Sequence, residues 1–141
     1  MLSVIGITAF ILLNSFLDFS ASHKLSGIIM KWLFPNTPET NGVVEDFWLR
    51  KAAHLAEYGL LGVAVGGGIT FLHHNYNKRV IGISLFGILA IAVIDEFIQS
   101  FSDRTSSVLD VMLDFGGATI GLLLLFTTVW LVGYIKSRNK R

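Results

Sequence analysis

The sequence predicts an all-α polytopic membrane protein with four transmembrane helices and a short interfacial helix in the first outer loop. Composition supplies the first reason: of 141 residues, 52% are hydrophobic and only 15% charged, too oily for an ordinary soluble domain. The second is that charge is gathered into patches. Met1–Leu17 and Val80–Ile94 carry none, Ala52–Leu72 carries only His54 and Glu57, and Met112–Ile135 only Asp114. Each stretch approaches the ~20 apolar residues that cross a bilayer as a helix. The third is that turn-forming or polar runs separate them. Nothing in the length asks for a second domain, so residues 1–141 are read as one.

The first segment, Leu2 to about Leu17, lacks the Lys or Arg of a signal-peptide n-region and reads as an uncleaved first helix. Asn14 and Ser15 stand near its end. Asn14 is a candidate to face a polar site, whereas Ser15 reads as a marker of the membrane interface. From Ser20 to Phe34, Leu25, Ile28, Ile29, Trp32 and Leu33 recur at three-to-four-residue spacing, as in an amphipathic helix lying in the headgroup region. Pro35–Gly42 follows as a loop, and Glu45 to Trp48 as an acidic, aromatic lead-in to the second helix.

The second segment opens with R-K-A-A-H-L-A-E-Y, Arg50 to Tyr58. On a helix Arg50, His54 and Glu57 form one stripe, and Lys51, His54 and Tyr58 its neighbour. Charged groups among lipid-facing residues are costly and normally turn toward a bundle interior or water. Further on, Gly62 and Gly66 permit close helix approach, and Gly66–Gly68 suggests a bend. A short basic loop, His73–Arg79, returns the chain, and its adjacent histidines read as surface residues.

The third segment is apolar from Val80 to Ile94, then continues through D-E-F-I-Q-S-F with Asp95, Glu96 and Gln99. Asp103–Ser107 is a polar connection holding Arg104. The fourth begins near Asp110 or Met112 and ends near Tyr134. Asp110, Asp114, Gly117 and Gly121 share one of its faces, two carboxylates followed by small residues suited to packing.

Lys78, Arg79 and the basic tail place the second loop and both termini in the cytoplasm by the positive-inside rule, with residues 18–49 outside. On that topology His54 and Glu57 lie within two turns of the outer surface, and Asp95 is about 22 Å up from Val80. Asp110 and Asp114 open the fourth helix. Polar residues from three helices therefore reach one outer slab of the bilayer. The cluster comprises Arg50, Lys51, His54, Glu57, Tyr58, Asp95, Glu96, Gln99, Arg104, Asp110 and Asp114.

Its chemistry divides by residue type. His54, Glu57, Asp95, Glu96 and Asp114 are the candidates for proton transfer, because an imidazole beside carboxylates can be held in one tautomer and serve as a general base. Arg50 and Arg104 suit a bidentate grip on phosphate or carboxylate, with Lys51, Tyr58, Gln99 and Asp110 completing a substrate-binding set. Several carboxylates converging without a thiol suit a hard divalent cation as cofactor. Cysteine is absent, which excludes disulfides, thiolate metal sites and a thiol nucleophile. The net charge of +1 offers no footprint for nucleic acid.

These residues resemble the VanZ-like family of small bacterial membrane proteins. The pattern is R-K-x-x-H-x-x-E-Y at Arg50 to Tyr58, D-E-x-x-Q at Asp95 to Gln99, a downstream arginine at Arg104, and the acids Asp110 and Asp114 opening the last helix. The match runs from about Arg50 to Gly121. Ser102-Asp103 stands before Arg104 where relatives often carry Pro and Gly. The resemblance implies a location in the bacterial cell membrane, an envelope role, and a link to resistance against the lipoglycopeptide teicoplanin. It does not imply a settled reaction. Two readings therefore stand side by side. One is a site for an anionic, lipid-linked or envelope substrate, with hydrolytic or transfer chemistry. The other is a non-catalytic protein that binds lipid or a protein partner through the same pocket. Four helices leave little room for the alternating access of a transporter.

Overall fold

The computed structural model describes residues 2–15, 28, 32, 42–72, 78–101 and 107–139. Four α-helices account for nearly all of them: α1 Leu2–Ser15, α2 Gly42–Leu72, α3 Lys78–Gln99 and α4 Val108–Arg138. Three of these, α2, α3 and α4, are long and apolar enough to cross a membrane, and α1 is a shorter apolar helix. The chain is a multi-pass membrane protein. Of the expected interfacial helix, only Ile28 and Trp32 are described; both are helical and exposed. The rest of it, the Pro35–Gly42 loop before Gly42, and Arg104 lie outside the described residues.

Helix boundaries follow the local chemistry, with one shift. The acidic, aromatic lead-in before Arg50 is itself helical, so α2 begins at Gly42. Through Gly66–Gly68, α2 stays helical and runs to Leu72. As the apolar pattern leads one to expect, α3 continues past its acids to Gln99. Ser107 caps α4 from an extended backbone, its hydroxyl accepting from the Leu109 amide at 3.1 Å. Asp110 in the first turn and Lys136 and Arg138 in the last complement the helix dipole.

The helices pack in the cyclic order α1, α2, α4, α3, with a minor contact between α2 and α3 across the middle. The most extensive contact is α2 on α4, and glycine sets its closeness. A Cβ at Gly62 would land on the backbone carbonyl of Ala118, and one at Gly121 on that of Gly59. At Gly117 a Cβ would sit 2.8 Å from the Leu55 carbonyl oxygen. Apolar contact with lipid is no worse than apolar contact with a helix, so such close backbone packing, not oiliness, holds the pair. The apolar core lies at mid-bundle: Ile11 of α1, Tyr58 and Leu61 of α2, Ile88 and Ala92 of α3, and Ala118 of α4.

Below this core α4 runs on to Arg138. Residues 127–139 are exposed throughout, and Trp130 stacks on Tyr134 with ring centroids 5.8 Å apart.

Candidate functional site

The polar residues gather at one end of the bundle, above the glycine contacts. His54 occupies α2, Asp95 occupies α3 and Asp114 occupies α4, so the three that come closest arrive from three helices. His54 Nδ1 is 3.8 Å from Asp95 Oδ2 and 3.7 Å from Asp114 Oδ1. One donor atom from each residue falls within 4.8 Å of the other two. Such a histidine–aspartate–aspartate group has the donor set to coordinate a divalent cation.

The two aspartates differ in their surroundings. Both are buried, Asp95 at 0% and Asp114 at 1% exposure. Asp95 is held on both oxygens: the Ser15 hydroxyl bonds Oδ1, and Gln99 Nε2 donates to Oδ2 at 3.2 Å. Asp114 has neither oxygen in a hydrogen bond, although both are shielded from solvent. A buried carboxylate without donors is costly, so it stands out chemically from its neighbours.

The other expected site residues that are described sit around this group, and Arg104 lies outside the described residues. Glu57 accepts from Asn14 Nδ2 at 3.0 Å, tying α2 to the end of α1. Lys51 pairs with Asp110, and both side chains are about a quarter exposed. The lysine expected to hold substrate is therefore engaged with an acid in this conformation. Glu96 Oε1 accepts from the Ser107 amide at 2.5 Å. That bond ties it to the start of α4. Tyr58 is fully buried, within electrostatic reach of Asp95, Asp114 and Glu57. Arg50 lies one turn before His54 on α2 and is partly buried.

One expectation needs correction. Ser15 was expected at the interface, yet it is 2% exposed and bonds the central aspartate. Its signal in the sequence was weak because a hydroxyl on an apolar helix can bond its own preceding turn as readily as a distant residue. Asn14 does turn toward the polar site, through Glu57 rather than His54.

A bundle end with this pattern of R-K-x-x-H-x-x-E-Y on α2, D-E-x-x-Q on α3 and acids opening α4 can be compared with known proteins as a whole. The VanZ/LLP1 family profile matches residues 1–131. The chain belongs to the VanZ/LLP1 family. No curated protein and no solved structure shows a significant match. The VanZ/LLP1 match extends well before Arg50, so it takes in α1, which supplies Ser15 and Asn14 to the site.

Proposed function

We propose that the polar end of this VanZ/LLP1 bundle is an envelope site, at the outer leaflet of the bacterial membrane, for an anionic, lipid-linked substrate. The observation that carries this reading is Asp114, buried with neither oxygen hydrogen-bonded, beside His54 and Asp95. A network serving only to pack helices gains nothing from a buried carboxylate left without hydrogen-bond donors, because leaving such a group unsatisfied opposes folding. A site that completes its bonding with a ligand does gain from it. Arg50, one helical turn from His54, supplies the planar fork that suits a phosphate. His54, between two carboxylates, supplies the group that can accept a proton. Lys51, next to Arg50 in the chain, adds positive charge after release from Asp110, and Arg104 stands in the sequence between α3 and α4.

Lipid access also fits. The site lies among helices whose outer faces are apolar, so a substrate with a lipid tail can approach with its tail in the bilayer and its headgroup among the polar residues. The family link to teicoplanin resistance supports an envelope substrate.

The test pairs abundance with function. In a teicoplanin-sensitive bacterium, H54Q and D114N variants should reach the membrane in wild-type amounts and lose the resistance conferred by the wild-type chain. Purified R50Q in nanodiscs should bind a polyprenyl phosphate at least about tenfold more weakly, a loss of ~1.4 kcal/mol. Wild-type resistance in both site variants, together with unchanged polyprenyl phosphate binding in R50Q, would overturn the proposal.

A further inference from the structure

We propose that His54, Asp95 and Asp114 bind one divalent transition-metal ion, of the Zn²⁺ or Mn²⁺ class, where α2, α3 and α4 meet. Three observations converge on it. The three residues present one imidazole nitrogen and two carboxylates, with one donor atom of each within 4.8 Å of the others. Asp114 is 1% exposed and its oxygens have no hydrogen-bond donor, so the group has unused acceptor capacity where water is excluded. Asp95, by contrast, is already oriented by Ser15 and Gln99. Outer partners of that kind fix a ligating carboxylate in place.

The spacing suits an ion at the centre. Zn²⁺ sits about 2.0–2.2 Å from nitrogen and carboxylate ligands, which places neighbouring ligands roughly 3–3.6 Å apart. The observed 3.7 and 3.8 Å separations from His54 need to close by a few tenths of an ångström, and the group as a whole, spread within 4.8 Å, by more. A bound cation would also offset the repulsion between Asp95 and Asp114, which share this buried space.

The donor types narrow the ion. An imidazole argues against Mg²⁺ and Ca²⁺, which prefer all-oxygen sites, and the absence of cysteine argues against ions that select thiolates. Three protein ligands leave at least one position open, as in sites that receive a substrate rather than closed structural sites. A phosphate oxygen of the proposed lipid-linked substrate would fill that position. This last role rests on the function proposed above; binding of the ion does not.

The experiment uses full-length, tag-free protein in phosphatidylcholine nanodiscs, stripped with a chelator and titrated calorimetrically with ZnCl₂ and MnCl₂. Wild type should take up one ion per chain and gain thermal stability from it. H54Q, D95N and D114N should each lose at least about tenfold in affinity, whereas an H73Q/H74Q double variant should match wild type. D114E keeps the carboxylate and guards against a folding defect; it should bind with intermediate affinity. In the cobalt-loaded protein, H54Q should alter the visible absorption bands of Co²⁺. Absence of a stoichiometric ion in wild type, or wild-type affinity in D114N, would overturn the inference. So would loss of binding in the H73Q/H74Q variant.

A polyprenyl phosphate titration separates the two proposals. Equal affinity with and without chelator would remove the ion's role at the phosphate and leave the substrate site, with ion binding judged by the metal titration alone. Stoichiometric ion binding with no affinity for the lipid phosphate would leave the ion and remove the substrate.

Discussion

The α2–α4 pair is built two ways along its length. In its middle, glycines bring the backbones into direct contact: Gly62 against Ala118, and Gly121 against Gly59. One or two turns away, the same two helices present His54 and Asp114, whose nearest polar atoms stand 3.7 Å apart without a hydrogen bond. The first region is filled to the limit and the second is left chemically incomplete. The difference teaches how the second can persist. A contact with no slack fixes the separation and rotation of the helices, so the polar end cannot collapse to satisfy Asp114.

Breaking the tight region should have the largest effect. Gly121→Val forces a branched side chain into the Gly59 backbone, where no side chain can move aside. The expected cost is at least ~3 kcal/mol, the upper end for overpacking, and most of the folded protein should disappear from size-exclusion profiles of detergent extracts. Gly68→Ala is the matched comparison. No described residue lies within 4 Å of its added Cβ, so the variant should elute as wild type.

The two aspartates should separate next, and in opposite directions. Asp95→Ala removes the acceptor of Ser15 and Gln99, leaving Gln99 without this bond and Ser15 with only the Ile11 carbonyl. A hydrogen bond to a charged group contributes roughly 1.5–3 kcal/mol, so a clear drop in melting temperature is expected. Asp114→Asn strands no hydrogen-bonding partner in the protein. Melting in metal-free buffer should be unchanged or higher by up to ~1 kcal/mol, with resistance lost, the trade between stability and activity seen at strained sites. Equal destabilisation of the two variants would show that the aspartates are equivalent.

The smallest effect belongs to the rim. Lys51 and Asp110 form a part-exposed ion pair, and such pairs contribute at most about 1 kcal/mol. Lys51→Met should shift the melting temperature only slightly, and the shift should shrink as salt is raised.

Much of this was legible in the chain because the bilayer makes polar residues conspicuous. Arg50, His54, Glu57, Asp95 and Asp114 interrupt apolar runs, and counting 1.5 Å per residue brings them to one depth before any packing is known. Their convergence needed no long-range information. Other features did. A serine gives no depth signal, so Ser15 looked like an interface residue until α1 packed beside α3. Glu96 looked equivalent to Asp95, its neighbour in sequence. Only the fold shows that one turns to Ser107 and the other to Ser15 and Gln99. The glycines were visible as a set, but which faced which depended on the register of α2 against α4. Gly66, paired in pattern with Gly62, meets the Leu125 side chain instead of a backbone.

The length of α4 has a consequence for the far end of the molecule. Its 31 residues span about 46 Å against about 33 Å for the 22 of α3, and the two are joined at the polar end through Glu96 and Ser107. Most of that surplus, about 10 Å, emerges at the opposite end, beyond Trp130, where Tyr134 stacks on Trp130 and Lys136 and Arg138 follow. Aromatic rings followed by cations favour the boundary between hydrocarbon and water. The stacked rings thus act as a ruler: Trp130 is 16 positions, about 24 Å, along the helix from Asp114, and anchoring one sets the immersion depth of the other. One residue inserted between them would shift that carboxylate by ~1.5 Å and turn it by about 100°. A feature at one face of the membrane would then retune chemistry near the other, with no contact between them.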